Sequence, residues 1–292
     1  MSVISTVEAT PSRLRIMFEY LEGRAGDERE RLLALLAPRS LPTRSADGES
    51  SVAPNALDEA LRLGLLVRDG EKIAAAGKLD PARRRRQGER EAFAALVERL
   101  LLDPAAPGAG SQRSFACAVS WLLTRSPGAP LEFSANQLLR LREDLGEDDD
   151  YELTSNLRWQ NFCYWARYLG YCGFVGVGGK TLVIPDPTAA VRRHLADMLP
   201  DRGEMRIGEV LVGLATRCPV LEEGAIRREV EGRFLRLPRE PSRLSQATSL
   251  ALRRLQDGGL ISMRALADAE ARVLDFEDAT DRVTHIGRTR AL

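Results

Sequence analysis

The sequence has few residues of the kinds that carry metal or redox chemistry. Its 292 residues include four cysteines and two histidines. Closely spaced cysteine and histidine ligands are typical of structural zinc sites, but the four cysteines form no C-x-x-C pair. We therefore expect neither a metal ion nor a cofactor. We interpret Cys117, Cys163, Cys172 and Cys218 as reduced, buried thiols.

Long hydrophobic runs are also missing from the sequence. The opening stretch MSVISTVEATPSRLRIMF lacks the basic start and apolar core of a secretion signal. No later run approaches the roughly 20 apolar residues of a membrane-spanning helix. The hydrophobic fraction, 44%, is that of an ordinary globular protein. These features predict a cytoplasmic protein with no membrane partner and with length for two or three domains.

Neither sign of charge is in excess. The chain has 42 basic and 42 acidic residues, so its overall charge gives no indication of a nucleic-acid partner. Only Lys72, Lys78 and Lys180 are lysines, and the other basic residues are arginines, which suit bidentate contacts with phosphate or guanine. A GC-rich coding genome would give the same bias. The acidic run at residues 142–152 lacks the ligand spacing of a calcium loop, so we interpret Asp148, Asp149 and Asp150 as a solvated loop.

Standard enzyme motifs are absent as well. The glycine-rich stretch GFVGVGGKTLVIPD, residues 173–186, resembles a phosphate-binding loop, but the motif G-x-x-x-x-G-K-[ST] requires a glycine where Phe174 stands. The β-branched run that ends at Pro185 is typical of a strand, and Gly178-Gly179 favours a hairpin turn. The sequence contains no nucleophile elbow, zinc-protease motif or dinucleotide fingerprint. We therefore predict that the protein is not an enzyme.

One pattern occurs three times: an amphipathic helix that closes at glycine, a strand, a turn and a second strand. The first helix begins near Pro54 and the second spans residues 157–169. The third begins near Ser245, and residues 261–265 and 273–276 are predicted as its two strands. Two amphipathic segments precede each of these helices. The pattern predicts a mainly α protein with small β-hairpins, of the α+β class, built from tandem winged helix-turn-helix units joined by linker helices.

Shifts in composition divide these units. The predicted boundaries are winged-helix unit 1 at 1–80, a linker helix and loop at 81–111, winged-helix unit 2 at 112–187, a bridging helix at 188–203, winged-helix unit 3 at 204–278 and a C-terminal tail at 279–292.

Unit 3 carries the first set of candidate DNA-binding residues. A helix-turn-helix presents the first turns of its recognition helix to the major groove, and arginines nearby supply phosphate contacts. The alternative is that the first serine is an ordinary N-cap and that the helix contacts protein. The corresponding helix of unit 1 is acidic, so we expect it to repel DNA. The candidates in unit 3 are Arg243, Ser245, Gln246, Thr248, Ser249, Arg253 and Arg254.

The linker carries a second candidate, the basic run Arg83, Arg84, Arg85 and Arg86. Clusters of this size can bind nucleic-acid phosphates. The alternative is a solvated linker whose charge is neutralised by neighbouring glutamates, among them Glu89. The sequence leaves both interpretations open.

Three segments of the chain resemble the DpdG family, which is found beside genes that insert 7-deazaguanine bases into bacterial DNA. They are the opening MSVISTVEATPSRLRIMFEYLEG, the middle FACAVSWLLTRSPGAPLEF and the tail DRVTHIGRTRAL. The resemblance implies membership of a bacterial DNA-modification and restriction system, with its other subunits as partners. It implies no catalytic residues.

Together, these observations favour a non-catalytic subunit of a DNA-modification or phage-defence system that binds double-stranded DNA through a winged-helix unit. The first alternative is a tandem winged-helix adaptor that docks on a partner chain or on a second copy as a homodimer. The second is a transcriptional regulator. A winged helix serves all three roles, so the fold alone does not choose among them.

Overall fold

Short helices and antiparallel strands alternate along the chain in the computed structural model, which describes residues 2–37, 51–106, 108–147, 151–235 and 240–290. These residues form twelve helices and eleven strands, in agreement with the predicted mainly α, α+β class. Asp148, Asp149 and Asp150 lie outside the described residues. Every helix within the described ranges is too short or too polar to cross a lipid bilayer. The chain divides into an N-terminal body, residues 1–115, and a C-terminal body, residues 116–292.

Three helices and a small sheet open the N-terminal body. They are α1 (Pro11–Leu21), β1 (Asp27–Glu28), α2 (Arg29–Leu36), α3 (Val52–Arg62), β2 (Leu66–Asp69) and β3 (Lys72–Ala75). The strands are antiparallel in the order β1-β3-β2. Leu14, Phe18 and Leu57 are fully buried between the helices. A positive φ of 62° at Gly70 allows the tight turn from β2 to β3, as predicted for this hairpin.

The predicted linker forms two helices, α4 (Pro81–Gln87) and α5 (Glu89–Leu102), before α6 (Ala109–Thr124) begins. Phe93 of α5 packs against Phe18 of α1 with ring centroids 5.6 Å apart. In contrast, α4 buries no residue. Its start is fixed by Pro81 in the first turn and by Asp80, whose carboxylate accepts a 2.8 Å hydrogen bond from the Ala82 amide.

The C-terminal body begins within α6 and repeats this order of elements: β4 (Leu131–Glu132), α7 (Leu138–Leu145), α8 (Asn156–Leu169), β5 (Cys172–Val177) and β6 (Lys180–Pro185). The sheet order is β4-β6-β5. Gly178 and Gly179 have φ values of 56° and 80° at the turn between β5 and β6. A two-residue turn with both φ values positive matches the twist of paired strands. The predicted hairpin is therefore confirmed for the glycine-rich stretch.

The rest of the C-terminal body contains four helices and five strands. They are α9 (Thr188–Met198), β7 (Glu204–Arg206), α10 (Ile207–Arg217), α11 (Ala225–Gly232), α12 (Gln246–Asp257), β8 (Ile261–Arg264), β9 (Arg272–Asp275), β10 (Thr280–Val283) and β11 (His285–Arg288). The sheet order is β7-β11-β8, and β9 and β10 form a separate hairpin. Helix α9, predicted as a bridge between units, packs against both α10 and α12.

The strand pairing corrects one prediction. Residues 273–276 do not return beside β8, because β9 pairs with β10, and the strand that pairs with β8 is β11. The backbone of Val273 forms hydrogen bonds with the segment that precedes α12. Its amide donates to the Ser242 carbonyl at 2.8 Å, and its carbonyl accepts from the Leu244 amide at 2.9 Å. The predicted C-terminal tail therefore supplies the central strand of a sheet, with Ile286 fully buried.

All four cysteines are free and buried, which confirms the interpretation from sequence. Burial raises the pKa of Cys163 well above its usual value of 9.0, and burial also raises the pKa of Cys172. The thiolate is the reactive form of cysteine. These two thiols are therefore poor nucleophiles in the folded protein.

Candidate nucleic-acid interface

The first turn of α12 is packed inside the C-terminal body. Ser245, Thr248 and Ser249 are 5%, 3% and 0% exposed. Ser245 is the N-cap: its hydroxyl accepts a hydrogen bond from the Thr248 amide at 3.4 Å, and its own amide donates to Glu222 at 2.8 Å. Within the fold, Ser245 therefore acts as an ordinary N-cap, which was the alternative considered in the sequence analysis.

Ser249 also has an internal partner. Its hydroxyl oxygen accepts a 2.9 Å hydrogen bond from the amide of Asp275, which anchors α12 to β9. The sequence analysis expected Ser245, Thr248 and Ser249 on a recognition surface, whereas in the structure α12 packs this face against α9 and β9. Of the four polar residues predicted for base contacts, Gln246 alone is partly exposed.

The arginines around α12 reach the surface, and each forms an ion pair. Arg243 lies 3.3 Å from Asp275, and Arg253 lies 2.6 Å from Asp281. Arg254 pairs with Asp186. All three side chains are partly exposed, and pairs of this kind contribute about 0 to 1 kcal/mol. The positive charge that the sequence places here is therefore balanced by carboxylates from β6, β9 and β10 or their ends.

In α4, two of the four arginines contact the side chains of other residues. Arg84 contacts Glu22 at 3.3 Å and also pairs with Glu89, whose hydrogen bond raises the pKa of Arg84. Arg83 lies 3.5 Å from the side-chain oxygen of Gln87. The neutralisation by Glu89 that the sequence suggested thus acts on Arg84.

Arg85 and Arg86 present their charge to solvent. Both are exposed. Arg86 donates a 3.4 Å hydrogen bond to the Ala82 carbonyl of its own helix, and its charge helps to lower the pKa of Asp80, but it forms no ion pair with a described carboxylate. Arg85 makes no side-chain hydrogen bond or ion pair with any described residue. These two guanidinium groups can therefore contact an external phosphate without first breaking an internal ion pair.

The helix of predicted unit 1 that was expected to be acidic is α3, and it exposes only part of its negative charge. Glu59 of α3 is fully buried and accepts hydrogen bonds from Thr6 at 2.7 Å and from Gln112 at 3.3 Å. It also pairs with Arg62. Asp58 is exposed and lies 3.9 Å from Arg29. Of these two acidic residues of α3, one is therefore inside the N-terminal body and one is at its surface.

A further surface on α8 was not anticipated from the sequence. Leu157 and Tyr164, seven residues apart on this helix, are 58% and 48% exposed. The Tyr164 ring contacts Phe133 with ring centroids 5.5 Å apart, and Arg167 lies 4.7 Å from the centroid of Phe174. Amphipathic periodicity identified α8 as a helix but did not distinguish exposed apolar residues from those that fill the core.

Comparison with known proteins gives one result. The family model described as DpdG-like matches residues 1–269, and neither a curated protein nor a solved structure gives a significant match. Membership of this family points to involvement in a DNA-modification system. Because the match covers most of the chain, the protein belongs to the DpdG-like family.

Proposed function

We propose that this chain is a non-catalytic, DNA-associated subunit of a bacterial DNA-modification or defence system and that it binds duplex DNA mainly through phosphate contacts. The observation that carries the proposal is the pair of exposed arginines on α4, Arg85 and Arg86, neither of which forms an ion pair with a described carboxylate. Phosphate contacts supply most of the sequence-independent affinity of proteins for DNA. Other subunits of the system would then supply catalysis.

We propose further that the chain carries winged-helix units. The order α1-β1-α2-α3-β2-β3 with sheet order β1-β3-β2 supports this for the first unit. The order α6-β4-α7-α8-β5-β6 with sheet order β4-β6-β5 supports it for the second. For the third, the sheet β7-β11-β8 and the packing of α9 on α12 favour a unit that begins with α9 and closes with β11.

The α4 arginines have an energetic advantage over those of α12 as phosphate ligands. Arg253 and Arg254 must leave Asp281 and Asp186 before they can pair with phosphate. The carboxylates left behind would also repel the DNA backbone. Arg85 has no ion pair to break, and its binding to phosphate would leave no unpaired carboxylate behind. The proposal therefore assigns the principal contact to α4 and a smaller one to α12.

The test is binding of the full chain to a fluorescently labelled duplex of random sequence across a salt series. Each phosphate contact contributes about 0.9 to the slope of log affinity against log salt concentration. The double variant Arg85→Ala/Arg86→Ala is expected to lower that slope by about 1.8. The charge-preserving variant Arg85→Lys/Arg86→Lys should keep most of it.

The comparison variant is Arg253→Ala/Arg254→Ala, which also removes two arginines and is expected to lower the slope less. If this variant lowers the slope and the α4 variant does not, the contact lies on α12 and the assignment to α4 is wrong. If the unmodified chain shows no salt-dependent binding at low salt, the chain by itself is not a DNA-binding subunit.

The adaptor function has its own support in the exposed apolar residues of the second predicted unit. Leu157 and Tyr164 on α8 and Val175 and Val177 on β5 are all exposed. Exposed apolar patches commonly mark protein docking sites. Sedimentation of the chain over a concentration series tests the homodimer form of this function. Self-association that Tyr164→Glu abolishes would support it, and a monomer at all concentrations would exclude the homodimer.

A further inference from the structure

Strand β5 lies at the edge of its sheet and carries no charge. In the order β4-β6-β5, one side of β5 pairs with β6 and no described strand pairs with the other side. Proteins commonly place charged residues or proline on such edges, which discourages pairing with another chain. Every other edge strand that the structure describes contains a charged residue, whereas β5 has the sequence CGFVGV. The open side of β5 is therefore suited to pairing with a further strand.

The backbone groups of Phe174 and Gly176 point toward this open side. In an antiparallel pair, residues that bond to the partner strand alternate with residues that point away from it. The Thr181 carbonyl accepts a hydrogen bond from the Phe133 amide at 2.9 Å, so the backbone of Thr181 faces β4 rather than β5. Gly176 is opposite Thr181 in the register, so its backbone points away from β6, and the same holds for Phe174 two residues earlier. The amides and carbonyls of these two residues can bond to another strand.

The fold of one chain does not require the two glycines of β5. Neither Gly173 nor Gly176 has a positive φ, and a Cβ at either position would meet no atom within 4 Å beyond its chain neighbours. Glycine weakens the interior of a strand, because it is flexible when unfolded and supplies no side chain for packing. In strands it often marks the close approach of a ligand or of another backbone. The two glycines therefore leave space for side chains that come from outside the chain.

We propose that β5 pairs antiparallel with β5 of a second copy of this chain, about a two-fold axis at Val175. In this register Phe174 lies opposite Gly176 of the second copy, and an aromatic ring covers the backbone of a facing glycine. Val177 lies opposite Gly173 of the second copy. Val175 lies opposite its own counterpart. A large residue thus meets a glycine at every position except the axis, and no like charges face each other. This match of the strand to itself favours a second copy as the partner.

The exposed apolar surface continues from β5 onto α8. Val175 and Val177 are 44% and 57% exposed, so the pairing is centred on the open part of the strand. On α8, the ring of Tyr164 lies 6.5 Å from that of Phe174, measured between centroids. The pairing is independent of the DNA association proposed above. It rests on the homodimer form of the adaptor function and gives that homodimer a specific geometry.

Disulfide cross-linking of the full chain tests the register. Directly opposite residues that are not hydrogen-bonded to each other lie about 4.5 Å apart between Cα atoms, which is within the range of a disulfide. Val175→Cys should therefore form a covalent dimer on mild oxidation, seen on a non-reducing gel. Val177→Cys is the matched control, because it is exposed on the same strand but would lie about 14 Å from its counterpart, four residues along the strand. The unmodified chain, with its four buried cysteines, gives the background. No cross-link in Val175→Cys, or equal cross-linking in both variants, would overturn the register.

Opposite charges at the axis give a second test. Val175→Glu and Val175→Lys each place two like charges face to face, so each should weaken self-association by about 100-fold in sedimentation equilibrium. An equal mixture of the two variants should recover the dimer, because glutamate then meets lysine. Val212→Glu is the control, since Val212 is 58% exposed on α10, away from β5, and should associate like the unmodified chain.

The outcomes separate this pairing from the functions proposed above. Failure of the mixture to recover the dimer would show that Val175 does not face itself, and the pairing would be wrong. A dimer that Tyr164→Glu disrupts but that both Val175 variants leave intact would keep the adaptor function and overturn the β5 pairing. A chain that stays monomeric at all concentrations would overturn the pairing and the homodimer together. The salt dependence of DNA binding would be unaffected by any of these results.

Discussion

Helices α4 and α12 both carry neighbouring arginines, but the fold uses the two helices differently. Helix α12 buries Ala251, Leu252 and Leu255, and its two arginines pair with aspartates. Helix α4 buries nothing and leaves Arg85 without an ion pair to any described carboxylate. The comparison shows that the number of basic residues in a helix is a weak guide to a binding surface. The partners of those residues decide how much charge is available.

The largest expected difference between the two helices is in stability. Leu252 is 1% exposed, so Leu252→Ala creates a cavity and should lower the free energy of unfolding by about 2 to 5 kcal/mol. Arg85→Ala on α4 should change it by no more than about 0.5 kcal/mol. Urea denaturation followed by circular dichroism measures both. Similar losses in the two variants would mean that α4 is not the free surface helix described above.

A smaller effect is expected at Ser249, and it distinguishes packing from DNA contact. Ser249→Ala removes the acceptor of the Asp275 amide. A backbone donor left without a partner in this packed site costs about 1 to 3 kcal/mol. DNA affinity should stay the same, because the hydroxyl is buried. An unchanged unfolding free energy together with weaker DNA binding would reverse this conclusion and restore the role predicted from the sequence.

The smallest effect concerns pH and the start of α4. The hydrogen bond from Ala82 lowers the pKa of Asp80 below its usual value of 3.8. A lowered pKa means that the cap stabilises α4 fully above the unfolded-state value and is lost as pH falls through the folded-state value. Amide chemical shifts of α4 should therefore move toward coil values only below about pH 3.8. In Asp80→Asn, which caps without titrating, they should stay constant through this range. A transition at the same pH in both proteins would show that Asp80 is not its cause.

Local features of the fold could be predicted from the sequence. The Gly178-Gly179 turn is specified by the two residues that adopt positive φ, so the hairpin was identified correctly. The helix α8 was identified by its apolar spacing, and all four thiols by their apolar surroundings. In each case the deciding interactions lie within a few residues along the chain.

Features that depend on distant partners could not be predicted. Arg254 pairs with Asp186, 68 residues away, and Arg253 with Asp281, 28 residues away. No local pattern indicates that these charges are balanced. Ser249 is a residue type that often contacts DNA bases. Its hydroxyl lies against β9, however, and accepts a hydrogen bond from the Asp275 amide. Arg227 likewise gives no sign in the sequence of being buried.

The position of β11 has a consequence for how the protein is synthesised. The three strands of the first sheet lie within residues 27–75, so they can pair early in translation. In the last sheet, β11 lies between β7 and β8 and contains residues 285–288. A nascent chain that has reached residue 278 therefore has β7 and β8 but lacks the strand that joins them. Strands β7 and β8 therefore stay unpaired, and open to chaperones or to partner subunits, until residues 285–288 have left the ribosome.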